Sequence, residues 1–189
     1  PPVPVASVPG MLAEVDLPPV GRVRRPWVGT EPRQARDNAA ATVCDQTTFR
    51  AAPMTNNVTR TFLVPGARLR DEFGLTETVG SLPEKKAAGF VDAVRDKLAR
   101  CSKKHMGTQV ARIRHLAGKH RDLTVWRVTT EISDKRSVSF LMGVARDRTS
   151  LAQVGFVPDP DGGMSAGDFV ALVERALERL EAMPPPKKG

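Results

Sequence analysis

Between residues 108 and 157 the chain alternates apolar and polar side chains over four successive stretches separated only by short turns, and this pattern leaves little freedom of fold. The stretches are Gln109 to Leu116, Leu123 to Ile132, a third carrying Val138, Phe140, Met142 and Val144, and Leu151 to Val157. In the second, Thr124, Trp126, Val128, Thr130 and Ile132 fall on one face, and Arg127, Thr129 and Glu131 on the other. Asp134-Lys135 and Asp147-Arg148 are turns too short to join anything but antiparallel neighbours. A C-terminal antiparallel meander follows.

Two amphipathic segments flank it. Over residues 83–101, Ala87, Phe90, Val91, Val94 and Leu98 share one helical face, with Ser81 and Glu84 spaced as a capping box around Pro83. After the Pro158–Gly163 break, Ser165 and Asp168 are spaced to start a second helix, whose stripe is Phe169, Val173, Ala176, Leu177 and Leu180. Upstream, Thr59–Val64 and Phe73–Leu82 read as extended, and a short helix is expected from Asp37 or Asn38 through the alanines to Cys44. The expected fold class is therefore α+β: an antiparallel β-sheet of about five to six strands packed by two long amphipathic helices. Residues 1–20 read as a Pro-rich linker or arm, 21–183 as a single domain, and 184–189 as a tail. The first residue is Pro, and a signal or anchor upstream of it is expected to have been removed.

Charge bears on partners. The chain carries a net charge of +8, and Arg outnumbers Lys by 20 to 9. Such an excess favours anionic partners without choosing among them. Arg22, Arg24 and Arg25 beside Trp27, and the basic run from Lys103 to Arg121, are the residues a nucleic-acid surface would use. Only 5% of residues are aromatic, the strand aromatics sit on core-like positions, and no nucleic-acid motif occurs, so that partner is disfavoured. No apolar run approaches the roughly 18 residues of a membrane helix, so a membrane would be reached only through an anchor outside this segment.

Catalytic signatures are missing from the sequence: there is no Gly-rich phosphate loop, no GxSxG, no HExxH and no CxxC. His105, His115 and His120 have no metal-ligand spacing, and the Asp159/Asp161 and Glu131/Asp134 pairs fall where turns commonly use carboxylates as caps. The expectation is no catalytic residue, no metal and no cofactor.

The two cysteines, Cys44 and Cys101, are either buried thiols or one disulfide. A bridge would close a loop of about 58 residues, worth about 4 kcal/mol in the chain-entropy model, and would imply an oxidising compartment.

Taken together, a Cys-containing segment, a helix ending in Cys101, Val125-Trp126-Arg127, the strand Ser139 to Arg146, the strand Leu151 to Phe156 and a closing helix from Phe169 to Ala176 resemble the extracytoplasmic sensor domains of actinobacteria, the PknH-like extracellular domain family. The resemblance spans roughly residues 40–183. It implies an antiparallel sheet with helices, a cleft, an outward-facing location on a membrane-anchored or lipoprotein-type protein, and no catalysis. The kinase sensor domains typically carry two disulfides, whereas this chain can form only one. On this reading the partner is a small molecule or an anionic cell-envelope ligand; the resemblance supplies no ligand residues, and the candidate ligand surface read from the residues themselves is Trp27, Arg112, Arg114, Trp126 and Arg127. The alternative is a basic cytoplasmic protein that binds nucleic acid or another anionic surface.

Overall fold

The structure is a computed structural model that describes residues 8–35, 39–45 and 54–188. Its frame is one eight-stranded sheet: β1 (Val28–Gly29), β2 (Arg33–Gln34), β3 (Thr55–Leu63), β4 (Gly74–Ser81), β5 (Thr108–Leu116), β6 (Arg121–Ser133), β7 (Arg136–Asp147) and β8 (Ser150–Val157). Every strand pairing is antiparallel, and the order across the sheet is β1-β3-β4-β8-β7-β6-β5, with β2 also pairing β3. The helices are α1 (Glu84–Lys104) and α2 (Ala166–Arg179), the latter tightening into a 3-10 turn over Leu180–Ala182.

The expected architecture needs correction here. The molecule is mostly antiparallel β-sheet, with eight strands in place of five or six, and its helices are not two long elements stacked on a small sheet. The helices measure 21 and 14 residues and serve opposite faces of the sheet. The strands that escaped the sequence are β1 and β2. With two residues each they are too short to show any period, and they form only because β3 offers its edge.

Side-chain alternation sorts the two faces. Leu123 and Val125 of β6 join Phe169, Leu172 and Val173 of α2, whereas Trp126 and Val128 join Phe90, Val91 and Val94 of α1. Each helix covers only the part of its face nearer β5, β6 and β7. On the α2 face, β3 and β4 are covered by the N-terminal arm, through Met11, Leu12, Leu17, Val20 and Trp27. On the α1 face, segment 39–45 lies over β4 and β8: Gln153 donates to Asp45 at 2.7 Å, and Cys44 is joined to Cys101 at the end of α1. Thus residues 11–20, read as part of a linker or arm, supply four buried side chains to the core. Residues 184–188 run past the ends of β3 and β4, where the Pro184 carbonyl accepts from Asn56 and Ser81.

Local chemistry explains the element ends. Ser165 caps α2, its Oγ accepting from the Asp168 N–H at 3.0 Å. Ser81 does not cap α1; it is the last residue of β4, in register with Ser150, and no side chain caps that helix. Glu84, freed from the capping box, instead meets His120 and lies 3.9 Å from Arg146. The helix expected from Asp37 or Asn38 starts outside the described residues, and 39–45 forms turns.

Candidate functional site

Segment 39–45 does not lie flat on the sheet. Its chain touches the sheet at Gly155, whose missing side chain allows the approach: a Cβ there would sit 2.9 Å from the Ala40 carbonyl oxygen. Beside that contact the segment and the sheet enclose a half-open cavity of about 300 Å³. Ala39–Val43 form its roof, Thr76 of β4 and Gly155–Val157 of β8 its floor, and Thr130, Phe140 and Leu141 its wall. No charged side chain lines it among the described residues. The roof is tethered immediately beyond Val43. Cys44 is bonded to Cys101, and the buried Asp45 carboxylate accepts from Gln153 Nε2 and, through Oδ1, from the N–H and hydroxyl of Thr42.

Two other depressions are shallower in chemistry. A groove of about 250 Å³ between α1 and β5 is lined by Arg95, Leu98, Ala99, Ser102, Val110, Arg112 and Trp126. A more open one of about 410 Å³ lies along the arm, beside Glu14, Arg24, Arg25 and Trp27.

The five residues expected to form a ligand surface are dispersed. Trp27 is buried under the arm; its indole N–H donates to the Pro18 carbonyl at 2.8 Å, and its ring stacks on Phe73 with centroids 5.6 Å apart. Trp126 is buried on the α1 face, with Arg112 opposite it in register. A β-bulge between Arg112 and Arg114 then reverses the alternation, so that Arg114 pairs with Val125 and reaches Glu174 of α2 at 3.8 Å. Arg112 and Arg114 therefore belong to opposite faces of the sheet. Arg127 is exposed and follows Val125 on the α2 side. Only Arg112 and Trp126 come together.

Two buried ionisable groups, Arg60 and Glu77, face each other under the arm. Glu77 of β4 is fully buried and stands opposite Arg60 of β3. Its Oε1 accepts from the Leu12 N–H at 2.7 Å, while Oε2 has no hydrogen-bond partner. Burial pushes the Glu77 carboxyl up to about 8, the Leu12 N–H and the Arg179 and Arg60 charges only partly opposing it. Arg60 donates to the Thr30 carbonyl at 2.9 Å and to Glu14 at 3.0 Å. For Asp16, burial acts to raise the carboxyl, but the hydrogen bonds from Arg179, the Ala13 N–H and Arg175 outweigh it and hold the group below its ordinary range. This network fastens the arm to β3, β4 and α2, and among its described members Glu14 alone lines the open depression along the arm. On the other face, Asp122 and Arg146 form a buried pair at 2.8 Å that ties β6 to β7. Asp159 accepts from the Arg70 and Asp161 N–H groups, a turn-closing role that keeps its carboxyl low. His115 bonds Thr124 and His120 meets Glu84; among the described residues no group of three His, Cys, Asp or Glu is placed to hold a metal.

Sequence reasoning missed the cavity lining. Ala39-Ala40-Ala41 reads as helix because alanine favours one, and nothing in its composition marks a roof. Gly155 carried a signal: a glycine inside an otherwise apolar strand marks a place where another backbone comes close. Compared with known families, curated proteins and solved structures, the chain matches none of them.

Proposed function

We propose that this chain is a non-catalytic ligand-binding domain of sensor or lipoprotein type that works outside the cytoplasm, attached to its membrane by a segment outside residues 1–189. The observation that carries this reading is the cavity beneath residues 39–43, a preformed hollow whose roof is tied down by the Cys44–Cys101 bridge. A disulfide is compatible with an extracellular protein, since such bonds persist in oxidising compartments. The lining supports binding over catalysis: among the described residues it offers hydroxyls and backbone but no side chain that could serve as acid, base or metal ligand. The resemblance to actinobacterial sensor domains adds the expectation of an envelope ligand.

The alternative, a basic cytoplasmic binder, gains little from the geometry, because Arg112 and Arg114 are set on opposite faces. The test is to block thiols in living cells before lysis and read the Cys44 and Cys101 peptides by mass spectrometry. A bridged pair is the expected result. Two alkylated cysteines would sink the extracytoplasmic assignment and leave the cytoplasmic reading.

A further inference from the structure

The chemistry of the cavity narrows what it can hold. Resting on the reading that the cavity is a ligand site, we infer that its occupant is a compact, uncharged, largely apolar molecule, of up to three rings or an equivalent branched hydrocarbon.

The protein carries a net charge of +8, yet none of that charge, and none of its acidic side chains, lines the cavity among the described residues. An ionised group drawn under the roof would lose its water and find no counter-charge, which is costly. The apolar side chains on this side of the sheet are those of Ala39, Val43, Phe140 and Val157, and these favour hydrocarbon. The polar ones are few and partly committed. Thr76 pairs its hydroxyl with Thr61 at 3.3 Å, and Thr130 pairs with Thr108 at 3.4 Å. Each threonine oxygen can still accept or donate one further bond, enough to orient a single hydroxyl or carbonyl of the ligand.

Size sets the other limit. A volume of about 300 Å³ lies at the small end of ligand pockets and leaves no room for a full lipid chain. Enlargement is hindered because the roof is fixed at two neighbouring points, the Cys44–Cys101 bridge and the Asp45–Gln153 bond, and pressed on Gly155.

The experiment uses two fluorescent probes that share one skeleton. N-phenyl-1-naphthylamine is uncharged, and its sulfonated relative 1-anilinonaphthalene-8-sulfonate is an anion. Each is titrated into the oxidised protein and into two variants that fill the cavity from different walls, Thr76→Phe and Val157→Trp, with the melting temperature of each variant measured alongside. The expected result is saturable one-site binding of the uncharged probe, weakened about tenfold or more in whichever variant stays folded. The anion should bind at least as weakly in the wild type as the uncharged probe does in the variants. Binding of the anion but not of the neutral probe, lost in the variants, would keep the ligand site and overturn its assigned chemistry. If a folded variant binds both probes as the wild type does, or if neither probe binds the wild type, the cavity is not a ligand site and both readings fall.

Discussion

Glu77 shows how one residue can make the whole chain respond to pH. Its carboxyl is buried between the sheet and the arm, with one oxygen bonded to the Leu12 N–H and the other unpaired, so the fold prefers it neutral. Its ordinary value is 4.5 and burial raises it to about 8 in the folded chain. The folded state therefore binds the proton more tightly than the unfolded state. The stabilisation is fully present below pH 4.5 and is lost as pH rises through about 8. Asp16 acts in the opposite sense, because its carboxyl is held low: the support it gives is present above its ordinary value of 3.8 and fades as pH falls below it. Urea unfolding of the wild type should thus show stability declining between pH 4.5 and about 8, and Glu77→Gln should flatten that decline while matching the wild type only near pH 4.5, since glutamine reproduces the neutral shape and can still accept from Leu12. An unchanged decline in the Gln variant would show that another group is responsible.

At the level of elements, periodicity told most where neighbours were regular and least where a short segment depended on a distant partner. The meander of β5 to β8 and both helices could be read because each carries its own apolar stripe, and the Ser165 cap of α2 was legible from a spacing of three residues. Ser81 and Glu84 have the same spacing yet form no box, because strand pairing between β4 and β8 claims Ser81 first. The β-bulge at Arg112 and Arg114 was invisible for a related reason: an extra residue leaves the sequence alternation unbroken to the eye while reversing it in space. The candidate site was the least legible part. Its roof has no period of its own and takes its place from the Cys44–Cys101 bond, the Asp45–Gln153 bond and the gap left by Gly155. The Cys44→Ser, Cys101→Ser double variant should accordingly lose about 2 to 4 kcal/mol of unfolding free energy. Its roof should also become open to proteolysis near residues 39–45 before the meander is cut. Equal resistance to limited proteolysis in the variant and the oxidised wild type would show that the roof holds its place without the bridge.

The molecule as a whole is a single sheet with two buried faces, and each face needs two covers: α2 and the arm on one side, α1 and segment 39–45 on the other. A sheet covered this way has no spare layer. Gly143 illustrates how closely one cover fits, for a Cβ there would lie 2.6 Å from a methyl of Val173, so α2 rests directly on the β7 backbone. The arm fits as closely on its half of the same face, where Met11, Leu12 and Leu17 share one apolar cluster with Phe62, Leu75, Phe156 and the α2 stripe. Because that cluster is continuous, loosening the arm should weaken the common core and not merely fray an end. Leu12 tests this, being fully buried and, through its N–H, the partner of Glu77. Leu12→Ala should cost about 2 to 5 kcal/mol. The loss should appear equally in far-ultraviolet circular dichroism and in the fluorescence of Trp126, which is buried on the opposite face. Measured in a Trp27→Phe background so that Trp126 is the sole indole, coincident and shifted transitions are expected. If the Trp126 transition stays at its original midpoint, the arm is an independent appendage and the two faces do not fold as one unit.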